Sequence, residues 1–295
     1  MKLLGICLIL LIATTSHKLL AQSSGVKVQT ARQIIGKMQT RLTCQWSQET
    51  VDTFKTGNPD DAVTGIAVCM FADMETLRKA VASNCNLIIV HEPTFYNHLD
   101  KTDFLKIDPV YDKKITYINE HKLIIFRFHD HWHRTVPDGI YVGMVDKLGW
   151  KANQIDSSMM YFKFKDQTVE EFAQKLQEKL KGSQLRIVGD PHMHIANVAL
   201  SVGAPGSQNH LNFLEDGFPE LLVAGEASEW ETYEYVLDAS MMGMKTAAIF
   251  TGHIASEEAG MEYCAKWMKT FVHDIPITYL ENGPSYWSVQ KPTLK

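Results

Sequence analysis

This 295-residue chain predicts an α/β fold with mostly parallel strands. Two observations lead there. Short apolar runs alternate along the chain with helix-period segments of roughly 10–15 residues, the pattern of βαβ units. Several of those runs also end directly on histidines and acids. The C-terminal ends of parallel strands converge on one edge of a sheet, where ligands bind, so groups far apart in sequence can meet there. Composition agrees: 45% hydrophobic and 21% charged residues give an ordinary globular chain, long enough for one large α/β domain or two intimate halves. The formal net charge is −5 and no long basic run occurs, which argues against nucleic acid as a partner.

Residues 1–21 read as a secretory signal peptide, with Met1-Lys2 as the basic start, an apolar stretch over 3–14 and cleavage after Ala21. The apolar stretch is too short for a stable transmembrane helix; an uncleaved membrane anchor is the alternative. The expectation is an exported protein, periplasmic or secreted, with no stable membrane insertion once the leader is gone. Residues 22–29 form a linker, and 30–295 a single two-lobed domain. In that domain, 30–42 predicts a helix from Ile34, Ile35, Met38 and Leu42 at helical spacing. Residues 45–61 predict a polar loop, carrying the turn sequence Gly57-Asn58-Pro59-Asp60-Asp61. A strand over 65–71, a helix over 74–83, a strand over 87–90, a helix over 111–121, a strand over 123–128 and a helix over 139–148 follow. The alternation resumes with a strand over 161–164 and a helix over 168–180, in which Thr168 is the N-cap, Glu171 completes a capping box and Gly182 ends the helix. Strands over 195–202 and 221–224, a helix over 230–241, a strand over 245–250, a helix over 257–271 and a strand over 277–280 complete the chain. Two halves meet near 150–160. Beyond the leader the cysteines are Cys44, Cys69, Cys85 and Cys264, enough for one or two disulfides in an exported chain. Cys69 in a strand-like run and Cys264 in a helix-like one read instead as buried free thiols. With no CxxC pair, no zinc is assigned to them.

Three places carry chemistry. His91-Glu92 follows the apolar run Leu87-Ile88-Ile89-Val90. Such a run suits a strand buried on both faces, leaving His91 and Glu92 where the chain exits the sheet. His129-Asp130-His131-Trp132-His133 packs three of the chain's 12 histidines into five residues. Read as an extended segment, it puts His129, His131 and His133 on one side and Asp130 on the other, where the acid can orient an imidazole. His253 and Glu257 are four residues apart at a strand-to-helix transition, one helical turn, so both can face one point. Acids also favour the first turn of a helix; that explains Glu258 well and Glu257 less well. The metal ligands are therefore read as His91, Glu92, His133, His253 and Glu257. Three imidazoles and two carboxylates suit Zn, Mn or Fe rather than Ca or Mg. Five ligands exceed what one tetrahedral ion with an open position needs and fit two divalent transition-metal ions about 3.5–4 Å apart, with Glu257 as the bridge.

These residues resemble the NIF-three-like dinuclear metal-centre proteins, also called GTP cyclohydrolase I type 2 proteins, over residues 30–288. LIIVHEPTF (87–95) is similar to that family's strand followed by His-His-Pro, and 128–149 to its strand, His-Thr-Asn-Leu-Asp loop and following helix. Val223-Ala224-Gly225-Glu226 is similar to its Thr-Gly-Glu turn, and Gly252-His253-Ile254-Ala255-Ser256-Glu257 to its Gly-His-x-x-x-Glu signature, the most specific of the four. Glu92 stands where the family has a second histidine, and His133 where it has the loop aspartate. The two departures are reciprocal, so the same ligand types are expected with two positions exchanged. His129 matches the family's loop histidine and is a ligand or a proton donor. The resemblance implies two similar, interlocked α/β halves and a ring-shaped homohexamer with the metals facing an internal cavity.

Three functions are open. A metal-dependent hydrolase would act on a small molecule, a phosphoester or a cyclic amide, with His129, Asp130 and His131 moving the proton. A non-catalytic metal-binding oligomer would serve as carrier or scaffold. GTP ring hydrolysis is the family name's suggestion; a leader peptide argues against it, since GTP chemistry belongs to the cytosol, and no GxxxxGK[ST] loop is present.

Overall fold

The computed structural model describes residues 28–181, 184–215, 217–283 and 286–287. The expected leader, residues 22–27 of the expected linker and the expected helix end at Gly182 lie outside them. The fold is α/β with two sheets of mostly parallel strands. In chain order its elements are α1 (Ala31–Gln39), β1 (Phe54–Thr56), β2 (Ile66–Cys69), α2 (Met74–Ala82), β3 (Leu87–Val90), α3 (Pro109–Glu120), β4 (Ile124–Arg127), α4 (Asp130–Arg134) and α5 (Gly139–Leu148). They continue as β5 (Tyr161–Thr168), α6 (Val169–Lys179), β6 (Arg186–Val188), β7 (His194–Ser201), α7 (Ser207–Leu214), β8 (Leu221–Ala224), α8 (Glu234–Met241), β9 (Ala247–Phe250), α9 (His253–Met268) and β10 (Ile277–Tyr279).

The first sheet runs β1-β4-β3-β2-β10 and the second β5-β7-β8-β9-β6. The chain changes sheet between α5 and β5, where the sequence places the meeting of the halves, but β10 returns and pairs parallel with β2. The inner strands β2–β3–β4 and β7–β8–β9 are parallel, and the antiparallel pairings fall at the edges, on β1, β5 and β6. Side-chain alternation divides each sheet between two cores. Ile66, Val68, Leu87, Ile89, Ile124 and Phe126 of the first sheet share one core with Ile195, Val198, Leu221, Val223 and Ile249 of the second, around α1, α5, α6 and α9. The opposite faces pack separately, the first sheet's on α2 and α3 and the second sheet's on α7 and α8. Two buried faces explain why these strands read as unbroken apolar runs. Between the sheets α5 and α9 approach closely: a Cβ on Gly143 would lie 2.3 Å from the Ala259 carbonyl oxygen, and one on Gly260 would lie 2.4 Å from Ile140 Cα.

The 168–180 prediction holds, with the Thr168/Glu171 capping box formed. Several expectations are corrected. The 45–61 loop contains the edge strand β1, too short and too polar to show a period. The predicted strand over 161–164 continues to Thr168, and β6 and α7 were not anticipated. The helix expected over 230–241 opens with a π-helical turn, Glu229–Tyr233. The final long helix begins at His253, four residues before the expected start, so Glu257 and Glu258 lie in its second turn and the helix-dipole explanation does not apply. Cys44, Cys69, Cys85 and Cys264 are all free thiols, without the disulfides that export allows. No helix among the described residues is long and apolar enough to cross a membrane.

Candidate metal centre

The C-terminal ends of β3, β4, β7, β8 and β9 meet at one place. From β3 come His91, fully buried, and Glu92. From the end of β4 and the helical turn after it come His129 and His133, with ring centroids 4.6 and 5.0 Å from that of His91. From β9 come His253, the first residue of α9, and Glu257 one turn later. Glu257 is central: its Oε2 lies 3.2 Å from His253 Nε2 and 3.6 Å from His91 Nε2, and its Oε1 lies 3.8 Å from His133 Nε2. Glu92 Oε1 lies 3.1 Å from His253 Nε2 and 3.9 Å from His129 Nε2. Ligand-capable atoms of His91, His129 and His133 lie within 4.8 Å of one another, as do those of His91, Glu92 and Glu257.

Each imidazole is tied outward through Nδ1. His91 Nδ1 donates to the Phe128 carbonyl (3.1 Å), His129 Nδ1 to Asp130 (3.0 Å), His133 Nδ1 to Asp138 (3.0 Å) and His253 Nδ1 to Glu226 (3.0 Å). All four Nε2 atoms are left for the common space. Metal-binding histidines are held this way, the outer partner fixing tautomer and ring orientation. His91 Nε2 is buried and lacks a hydrogen-bond partner; Glu257 Oε2, equally buried, has no well-formed hydrogen bond, only the ion-pair approach of His253 at 3.2 Å. With Nδ1 carrying the proton, His91 Nε2 is an acceptor; so is the carboxylate oxygen 3.6 Å away. Two facing buried acceptors are unfavourable unless something positive stands between them, and a cation of the transition series suits both atom types.

The glycines around the site leave room for it. Gly203, at φ +66° after β7, seats Glu257: a Cβ there would come within 2.2 Å of Oε1. Gly203 N–H donates to Ser256 Oγ (2.9 Å), and Ser256 Oγ–H donates to the His253 carbonyl (2.7 Å), which fixes the start of α9.

The extended reading of 129–133 is corrected. The segment is a helical turn, so His129 and His133, four apart, share a face while His131 turns away. Asp52, buried in the supposed polar loop, causes this. Its Oδ1 accepts from the N–H groups of His129 (2.7 Å) and Asp130 (2.9 Å), and its Oδ2 from His131 N–H (2.8 Å). It is a helix cap supplied from far along the chain. His131 does not reach the site. Its Nδ1 donates to Asp52 (2.6 Å), its Nε2 accepts from Ser47 N–H (2.9 Å), and its ring stacks on Trp46 at 3.7 Å. Both nitrogens are engaged with the 46–52 loop rather than with the imidazole cluster. Asp130 takes the orienting place that its sequence position suggests: besides His129, it accepts from Thr50 Oγ and Val51 N–H.

Charge follows from these contacts in the metal-free protein. Burial pushes His91 well below the ordinary imidazole value, and His133 and His129 push it further. Burial also opposes charging of His253, but its bonds to Glu257 and Glu92 outweigh this and raise it to about 11. Burial opposes ionisation of Glu92 and Asp130. The bond and charge of His253, with His129 and Arg127, nonetheless draw Glu92 below the usual carboxylate value. The bonds from His129, Thr50 and Val51 hold Asp130 near about 2.

Asp52, Asp138, Glu226 and Arg127 were missed as site residues. Asp138 offered a signal, five residues from His133 and just before a helix; it caps α5 through Oδ1 while Oδ2 holds His133. Glu226 lies in the Gly-Glu turn noted above. Asp52 offered none, its partners lying 77–79 residues away.

The chain belongs to the Duf34/NIF3 (NGG1p interacting factor 3) family, whose model matches residues 29–282. It is 23% identical over 232 residues to a "GTP cyclohydrolase 1 type 2 homolog" of Clostridium acetobutylicum, covering 75% of this chain and 82% of that one. A protein of the same description from Chlamydia pneumoniae is 26% identical over 227 residues, covering 72% and 82%. A crystal structure of a Bacillus cereus protein related to NIF3 superposes with TM-score 0.69 at 13% identity, covering 89% of this chain and all of that one, a likeness of fold.

Proposed function

We propose that the protein holds two divalent transition-metal ions, Zn, Mn or Fe, and is a metal-dependent hydrolase of a small molecule. The observation that carries this is His91 Nε2, a buried acceptor without a hydrogen-bond partner, facing the buried Glu257 carboxylate at 3.6 Å amid three further inward-facing imidazoles. His91, Glu92, His133, His253 and Glu257 would hold the ions, Glu257 spanning the two positions with one oxygen toward His133 and the other toward His91 and His253. Such a pair supplies positive charge to a developing oxyanion and acidifies a water. His129, partly open to solvent and oriented by Asp130, is the group placed to accept and return a proton at Nε2. Phosphoesters and cyclic amides both hydrolyse through an oxyanion, and they are the proposed substrate classes. Export through the leader and a homo-oligomer, a hexamer by the family resemblance, belong to the same reading.

The test is hydrolysis of a panel of phosphoesters and cyclic amides by metal-loaded protein. His129→Gln is expected to keep its metal and lose turnover, whereas His253→Ala loses both. A fully loaded protein inert on the whole panel would favour the carrier or scaffold reading.

A further inference from the structure

Arg127 is the last residue of β4 and is completely buried. A fully buried guanidinium is costly unless its surroundings pair with it. Here Nε donates to the carbonyl of His91 (3.0 Å) and one terminal nitrogen to that of His98. The same nitrogen lies 3.7 Å from Asp100 Oδ2, and the other lies 3.6 Å from Glu92 Oε2. Asp100 is paired in turn with buried Lys55 at 3.2 Å. Arg127 and Lys55 thus face Asp100 and Glu92 in one buried group, and Glu92 is the carboxylate that links it to the imidazole cluster.

The group divides the Glu92 carboxylate. Oε2 faces the guanidinium, and Oε1 faces His253 Nε2 and His129 Nε2. Resting on the metal-centre reading, we infer that Arg127 is a positioning residue: its charge, 3.6 Å from Oε2, draws that oxygen away, so that Glu92 would offer the centre its other oxygen alone. A neutral histidine at position 92 would leave the buried guanidinium without this counter-charge, beside a centre that must accept cations. The exchange of ligand types at Glu92 and the arginine beneath it are then one coupled device.

The test is a Co²⁺ titration of the metal-free full-length protein, followed by absorption and by calorimetry, for wild type, Arg127→Met, Glu92→His and the double variant. Arg127→Met is expected to weaken binding at least tenfold in the native background. In the Glu92→His background the same change is expected to cost nothing, or to tighten binding, because a repelling charge is removed. Arg127→Lys keeps the charge but not the planar fork. It is the variant to read if Arg127→Met does not fold, and its weaker Co²⁺ absorption would report a Glu92 freed to bind through both oxygens. Equal losses in both backgrounds would overturn the inference, leaving Arg127 only as a brace for the His91 and His98 backbone. Unchanged binding in the native background would overturn it too. Failure of the wild type to take up Co²⁺ would defeat the metal-centre reading itself, and shows before any arginine variant is compared.

Discussion

Asp52 gives the sharpest test of how this fold builds its site. The residue touches no imidazole Nε2, yet it accepts four hydrogen bonds at 2.6–2.9 Å, three from the backbone at the start of α4 and one from His131 Nδ1. Asp52→Asn keeps the shape but replaces one accepting oxygen with a donor that faces two donors. Charge-assisted bonds are worth about 1.5–3 kcal/mol each, and an unsatisfied buried donor costs a similar amount. The loss is therefore about 3–5 kcal/mol. For a chain of this size that lowers the melting temperature on the order of 10 °C. Loss of the cap also frees α4 to unwind, which separates His129 from His133, so metal affinity is expected to fall at least about tenfold, as for partners that orient metal ligands. Thermal melting of the metal-free protein and a metal titration measure the two effects. An Asp52→Asn protein that melts within about 2 °C of wild type and binds metal with unchanged affinity would refute the reasoning.

Gly203→Ala places a methyl 2.2 Å from Glu257 Oε1 at a backbone φ of +66°; elemental analysis is expected to show one metal ion or none. In the metal-free protein His253 bonds Glu226 and Glu92 through its two nitrogens and stays protonated up to about pH 11. Metal binding must therefore release about one proton. Affinity should rise with pH through neutrality, and calorimetry in buffers of different ionisation heat should show a release that drops by about one in His253→Ala. Lys114 is buried with Nζ–H donating to the Thr94 carbonyl, and burial lowers its ammonium to about 8. The unfolded chain titrates this group near about 10.4, so it binds more protons than the folded chain between those values. Stability should rise from about pH 8 toward 10, by at most about 3 kcal/mol, and Lys114→Met should abolish that rise in denaturant melts.

Much of the fold was legible because its parallel strands are buried on both faces. Leu87–Val90 and Leu221–Ala224 have the very bounds that their apolar runs give. What the sequence hid depends on distant contacts. β1 is held by pairing with β4, not by its own pattern. The turn at 130–134 is helical because a carboxylate from the distant loop before β1 caps it, and an isolated five-residue segment rich in histidine shows no period strong enough to reveal that. His129 and His133 face the centre, whereas His131, equal to them in sequence, serves the core. The spacing of His253 and Glu257 survived a shift in the helix start because both residues fall inside α9. Arg127 falls inside the strand expected over 123–128, and nothing local marks it as the partner of Glu92.

The central claim is that three imidazoles and two carboxylates, those of His91, Glu92, His133, His253 and Glu257, hold two metal ions. Elemental analysis of protein purified without a leader or histidine tag, expressed as metal atoms per chain, tests it most directly, with His253→Ala as control. The account predicts close to two atoms of Zn, Mn or Fe, lost in the control. A protein that carries no metal and takes up none on titration would contradict it, and would mean that the exchange at Glu92 and His133 has disabled the site.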